Sequence, residues 1–84
     1  MHKIEPKLEQ RLQDMPNRAV DLIVRTEGDP SPHLEWLAAQ NIEVRHVFKL
    51  SPGVAVSAPG RDALKLLTQE WVVSVEVDEG VRAT

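Results

Sequence analysis

Eighty-four residues without a single cysteine make one small domain that buries only roughly 60–65% of the surface its unfolded chain exposes, with no disulfide or thiolate-bound metal to reinforce it. A net charge of −3, with both signs interspersed, offers no basic stripe to neutralise phosphates and so argues against nucleic acid as a partner. The most apolar stretches, VDLIV and WVV, are too short to span a bilayer, and HKIEPKLEQ lacks the apolar core of a signal peptide. A membrane role is therefore not expected, and the chain is expected to be cytoplasmic if it is complete.

In chain order, Leu8, Leu12 and Met15 recur at helical spacing between Pro6 and Pro16, which predicts a short amphipathic helix over residues 5–15. Ala19 to Thr26 alternates as a half-buried strand does, with Val20, Leu22 and Val24 on one side, and Gly28-Asp29-Pro30 ends it. Ser31-Pro32 reads as an N-cap followed by a first-turn proline. Leu34, Leu37 and Ala38 then form an apolar stripe, and Asn41 tolerates the left-handed position that closes a helix of about ten residues. Glu43 to Leu50 and Val54 to Ser57 alternate around Ser51-Pro52-Gly53, a β-hairpin. Ala63, Leu64 and Leu67 predict a helix over 60–68, and Trp71 to Val77 a last strand.

After the leading helix the order is β-α-β-β-α-β. This predicts an α+β, ferredoxin-like sandwich: a four-stranded antiparallel sheet with two helices on one face, plus the short N-terminal helix. The organisation expected is a helical extension over 1–18, the ferredoxin-like domain over 19–80 and a short tail over 81–84.

Strict alternation sends Val20, Leu22, Val24, Val44, Phe48, Val54, Val56, Val73, Val75 and Val77 toward the helices. It leaves Ile23, Arg25, Arg45, Val47, Lys49, Ala55, Ser57, Val72, Ser74 and Glu76 on the open face. The small side chains among them, Ala55, Ser57 and Ser74, let another backbone or helix approach closely, which marks a docking surface.

Catalytic and metal signatures are missing from the sequence. His2, His33 and His46 are not spaced as metal ligands, no serine sits in a nucleophile elbow, and Ser57, His46 and Asp62 are not arranged as a triad. Neither enzyme activity, a metal nor a cofactor is expected. In phase with Val44 and Phe48, His46 reads as a histidine at the core's edge, and Trp36 and Trp71 read as packing residues.

Five short segments occur in a characteristic order: Ile23-Val24-Arg25, Phe48-Lys49-Leu50, Gly53-Val54-Ala55-Val56, Leu66-Leu67 and Val75-Glu76-Val77-Asp78. Together, over residues 19–84, they resemble the propeptides of subtilisin-like serine proteases and their free-standing inhibitor relatives. The resemblance implies a protease inhibitor that also assists its enzyme's folding, with a subtilisin-like serine protease as partner. It implies that the open sheet face, with Ile23, Val47, Ala55, Ser57 and Ser74, docks on two surface helices of the protease. Glu76 and Asp78 would cap the N-termini of those helices, where free backbone N–H groups and the dipole favour negative charge.

The tail, Val81, Arg82, Ala83 and Thr84, would lie extended in the active-site cleft like a cleavage product. Thr84 would sit nearest the catalytic serine and Val81 would face the apolar fourth pocket. Thr84 departs from the larger side chain such proteases generally prefer. A different class of reading is a self-associating structural module, a homodimer that pairs two copies through the same sheet face. RNA binding by that face is disfavoured by the acidic charge and by the lack of aromatic residues assigned to it.

Overall fold

A computed structural model describes residues 3–78. Pro6 stands at the start of α1, Pro6–Asp14, where its missing N–H leaves no helical bond unmade. Leu8 and Leu12 face the same way one turn later and are both buried, Leu12 completely. The first strand, β1, runs Ala19–Thr26 with Leu22, Val24 and Thr26 buried in alternation.

A 3-10 turn, Ser31–His33, leads into α2, Leu34–Ala39. The hairpin is β2, Glu43–Phe48, and β3, Gly53–Pro59. A single α-turn, α3, Gly60–Ala63, passes into a 3-10 helix, Leu64–Thr68, before β4, Val72–Val77. The strands lie in the order β2-β3-β1-β4, each neighbouring pair antiparallel. The domain is thus α+β, with three helices and an open four-stranded sheet, and its strand order is compatible with a ferredoxin-like sandwich.

One core joins sheet and helices. Leu22, Val24, Val54, Val56, Val72 and Val75 from the strands meet Leu8, Leu12, Leu37, Ala63 and Leu66 from the helical layer. Each large aliphatic side chain so buried contributes roughly 1.5–3 kcal/mol relative to exposure. Trp36 and Trp71 pack against this cluster as expected, with their rings edge to face at 5.7 Å. The ring of His33 stacks on Trp71 at 4.0 Å.

Residues before α1 belong to the same assembly. The Val75 N–H donates to the Lys3 carbonyl at 2.8 Å, and Ile4 forms a parallel bridge to Val75, so this segment lies along the outer edge of β4. Ile4 is buried in the core. Near the far end of α1, the Gly60 N–H donates to Arg18 and the Arg61 N–H to Pro16. The approach is close enough that a Cβ on Gly60 would overlap the carbonyl oxygens of Leu12 and Met15.

The second and third helices differ from expectation in type and capping. Ser31 does not cap with its side chain. The Ser31 N–H donates to Asp29 Oδ1 at 2.9 Å, a turn closed by the carboxylate two residues earlier. That bond holds the Asp29 carboxyl below its usual value. The 60–68 segment keeps one α-turn before tightening to 3-10 geometry. Asn41 does adopt the left-handed conformation, φ 67°.

Its amide donates to Asp62 Oδ2 at 3.2 Å, while Lys65 Nζ lies 3.1 Å from Oδ1. Asp62 therefore ties the end of α2 to the turn of α3. The Lys65 hydrogen bond, helped by Asn41 and the Lys65 and Arg61 charges, holds the Asp62 carboxyl below the usual 3.8, although burial pushes it the other way. A depressed folded-state pKa gives stability that is present above the unfolded value and is lost as pH falls through the folded one. Asp62→Asn is accordingly expected to cost about 1–2 kcal/mol at neutral pH, the lower part of the range for a hydrogen bond to a charged group because its partner Lys65 is half-exposed and screened by solvent. It should also flatten the decline in stability below pH 4, as read by urea unfolding across that range.

Candidate protein-docking face

The pairing register shows which side chains share the open face. On β1 they are Asp21, Ile23 and Arg25, and on β3 their partners are Ser57, Ala55 and Gly53. On β4, Glu76 lies opposite Ile23 and Ser74 opposite Arg25. On β2, Glu43, His46 and Phe48 lie opposite Ser57, Ala55 and Gly53.

Irregularities in the edge strands overturn part of the expected phase. In β2 the ladder skips from Val44 to His46; the extra residue, Arg45, shifts every later side chain to the other side. Val47 therefore packs against the core instead of lining the open face. His46 and Phe48 turn outward, and His46 is exposed rather than at the core's edge. In β4 the ladder skips from Val72 to Ser74 opposite Arg25 and Thr26. Val72 is buried, whereas Val73, expected inside, is 52% exposed. Leu50 lies beyond β2 in the hairpin turn and is fully exposed.

Of the five docking residues read from the sequence, Ile23, Ala55, Ser57 and Ser74 do lie on the open face. Glu76 is on it too, exposed at the end of β4. Asp78 follows two residues later, and its N–H donates to the Asp21 carbonyl at 3.0 Å, so pairing to β1 continues to that residue. Val81, Arg82, Ala83 and Thr84 lie outside the described residues.

Three rows cross the face. The first holds Glu43, Ser57 and Asp21 with Asp78 beside it; the second holds His46, Ala55, Ile23 and Glu76; the third holds Phe48, Gly53, Arg25 and Ser74. Ala55 is only 9% exposed yet stands outside the main core cluster, because larger neighbours on either side shade it. No family model and no curated protein matches this chain.

Charge divides the face along the strands. Asp21, Glu43 and Asp78 gather where β4 ends, with Arg45 Nη2 3.8 Å from Glu43 Oε1. At the opposite end the Arg25 guanidinium lies 5.7 Å from the Phe48 ring centroid, reaching across Gly53, and Arg25 Nη1 donates to Ser51 Oγ at 3.4 Å. His46 meets the same Phe48 ring edge to face at 5.1 Å. Sequence reading missed Phe48 and His46 as members of this surface. Their side could be assigned only once the bulge at Arg45 and the cross-strand partners were known.

Ser57 and His46 occupy neighbouring rows, but Asp62 is engaged with Asn41 and Lys65 in the helical layer, so the three do not form a relay. Among the described residues, no cluster of three or more His, Cys, Asp or Glu side chains is placed to hold a metal ion. No helix among them is long and apolar enough to cross a membrane.

Proposed function

We propose that the chain is an inhibitor of a subtilisin-like serine protease, docking through the open sheet face and placing residues 81–84 in the active-site cleft. The observation that carries this reading is the coincidence of three features at one end of the sheet. Small side chains allow close approach at Ser57, Glu76 is exposed, and Asp78, two residues later, still pairs with β1 through its N–H to the Asp21 carbonyl.

Carboxylates there suit helix N-termini on a partner, whose unpaired N–H groups carry partial positive charge. The six residues beyond Asp78 can reach at most about 20 Å when extended, enough to cross from a docked sheet into a neighbouring cleft. An extended segment binds such a cleft through main-chain hydrogen bonds with alternate side chains in pockets, and a folded anchor lowers its ordering cost.

Deleting residues 81–84 is expected to weaken inhibition of a subtilisin-type protease by at least about 100-fold, since the segment's main-chain bonds together exceed ~3 kcal/mol. The circular-dichroism spectrum and melting temperature should stay as in the full chain. Unchanged inhibition constants would reject the cleft role. Absence of inhibition by the full chain against a panel of such proteases would reject the reading as a whole.

A further inference from the structure

We infer that the hollow at the hairpin end of the open face is a binding site for a carboxylate joined to an apolar group. It measures about 440 Å³ and is lined by Arg25, His46, Phe48, Lys49, Leu50 and Ser51. Small-ligand sites span ~300–1,000 Å³ and have mostly apolar walls with a few placed polar groups.

The anion-binding element is Arg25. Its guanidinium lies 5.7 Å from the Phe48 ring centroid, within cation–π range, and Nη1 donates a long bond of 3.4 Å to Ser51 Oγ. Gly53 makes that placement possible. It stands between Arg25 and Phe48 in the third row, and a Cβ there would come 3.5 Å from the Phe48 ring and 2.7 Å from the Val24 carbonyl oxygen. A guanidinium carries five N–H donors in a planar fork, and Ser51 takes one.

Among the described residues, the other donors meet no carboxylate. Ser74 lies opposite Arg25 on β4, the ion pairs are Glu43–Arg45 and Asp62–Lys65, and no acidic residue lines the hollow. Asp29 lines the adjoining hollow, where its carboxylate accepts from the Ser31 N–H. A half-buried fork of unused donors matches the two oxygens of a carboxylate and holds them by paired, charge-assisted bonds. Beside it, the Phe48 ring, met by His46 at 5.1 Å, and the fully exposed Leu50 offer surface for an apolar body. A hydrated inorganic anion would use the charge alone and leave the rings and Leu50 in water, so the combination selects an organic acid.

Two sources carry that chemistry: a free monocarboxylic acid, and the C-terminus of a peptide ending in an apolar residue. Amide chemical shifts of the full chain, titrated with 3-phenylpropionate and with acetyl-Gly-Gly-Phe, distinguish them. Tighter binding of the peptide assigns the site to chain ends, and tighter binding of 3-phenylpropionate assigns it to free acids. Dissociation constants in the millimolar range are expected for ligands of about a dozen to two dozen atoms at a shallow site. The shifts should centre on Arg25, Phe48 and Gly53 and leave Asp21 and Asp78 unmoved.

The corresponding amides, 3-phenylpropionamide and acetyl-Gly-Gly-Phe-amide, should bind at least about tenfold more weakly. Arg25→Gln should weaken the acids by a similar factor and leave the amides unchanged, and Arg25→Lys, which keeps the charge but loses the fork, should restore only part of the difference. Leu50→Ser, at a position exposed enough to leave the fold untouched, should weaken both acids by about threefold. Acids and amides binding alike, phosphate ion binding as tightly as 3-phenylpropionate, shifts centred elsewhere, or no shift at about 20 mM ligand would each overturn the inference. No protease enters these titrations, so their failure leaves the inhibitor reading where it stands.

Discussion

Leu12→Ala should remove a large part of the domain's stability. The side chain is completely buried where α1 meets the core, and truncating a buried leucine costs about 2–5 kcal/mol through lost transfer energy and the cavity left behind. A domain of this length has only about 4–13 kcal/mol in total, so the variant should melt far earlier or be partly unfolded at room temperature. Urea unfolding measures the loss. Met15→Ala, at a half-buried position just past the same helix, serves as the mild comparison.

The same logic extends to the whole segment before β1. Ile4, Leu8 and Leu12 all belong to the main hydrophobic cluster, so a chain beginning at residue 19 should lack cooperative unfolding altogether. If Leu12→Ala proved nearly neutral, α1 would be a loosely held appendage.

Gly60→Ala acts at the same junction from the opposite direction. Adding one methyl group places carbon against two main-chain oxygens, 2.6 Å from that of Met15 and closer still to that of Leu12. Backbone carbonyls cannot rotate away as a flexible side chain can, so either α1 or the start of α3 must move. Overpacking of this kind costs about 1–3 kcal/mol, and the upper part of that range is expected here because the Gly60 and Arg61 N–H bonds to the 16–18 loop must shift as well. The two substitutions should not add. Once Leu12→Ala has loosened α1, the extra methyl at residue 60 meets a helix already free to retreat, and the double variant should be more stable than the sum of the singles implies.

Elements with one clean period were legible in the sequence. The strand over Ala19–Thr26 has the expected ends, because Val20, Leu22 and Val24 alternate without interruption and glycine follows at Gly28. The β-α-β-β-α-β order emerged from such signals. Bulges defeated the reading elsewhere. Arg45 and Val73 each add a residue to an edge strand, and adjacent apolar pairs, Val47-Phe48 and Val72-Val73, satisfy either phase equally well.

For the open face, the small residues Ala55, Ser57 and Ser74 were visible beforehand, since they lie on either a regular strand or the regular part of one. The separation of charge was not, because it exists only after Asp21 is set beside Ser57 and Arg25 beside Gly53. Nor did helical periodicity reveal where α1 would lie. Its apolar stripe required a neighbour, and the sign of that neighbour was Gly60, which looked only like a poor helix start.

The bridge between Ile4 and Val75 has a kinetic consequence. It closes nearly the whole described chain into one loop, and loop closure of that span must be met before the contact returns any energy. Together with a sheet whose central strand is flanked by the third and fourth strands rather than the second, this gives a high mean sequence separation of contacts. Such topologies fold more slowly than helical bundles built on local contacts, and pairing of Lys3 and Ile4 must await the arrival of the last strand.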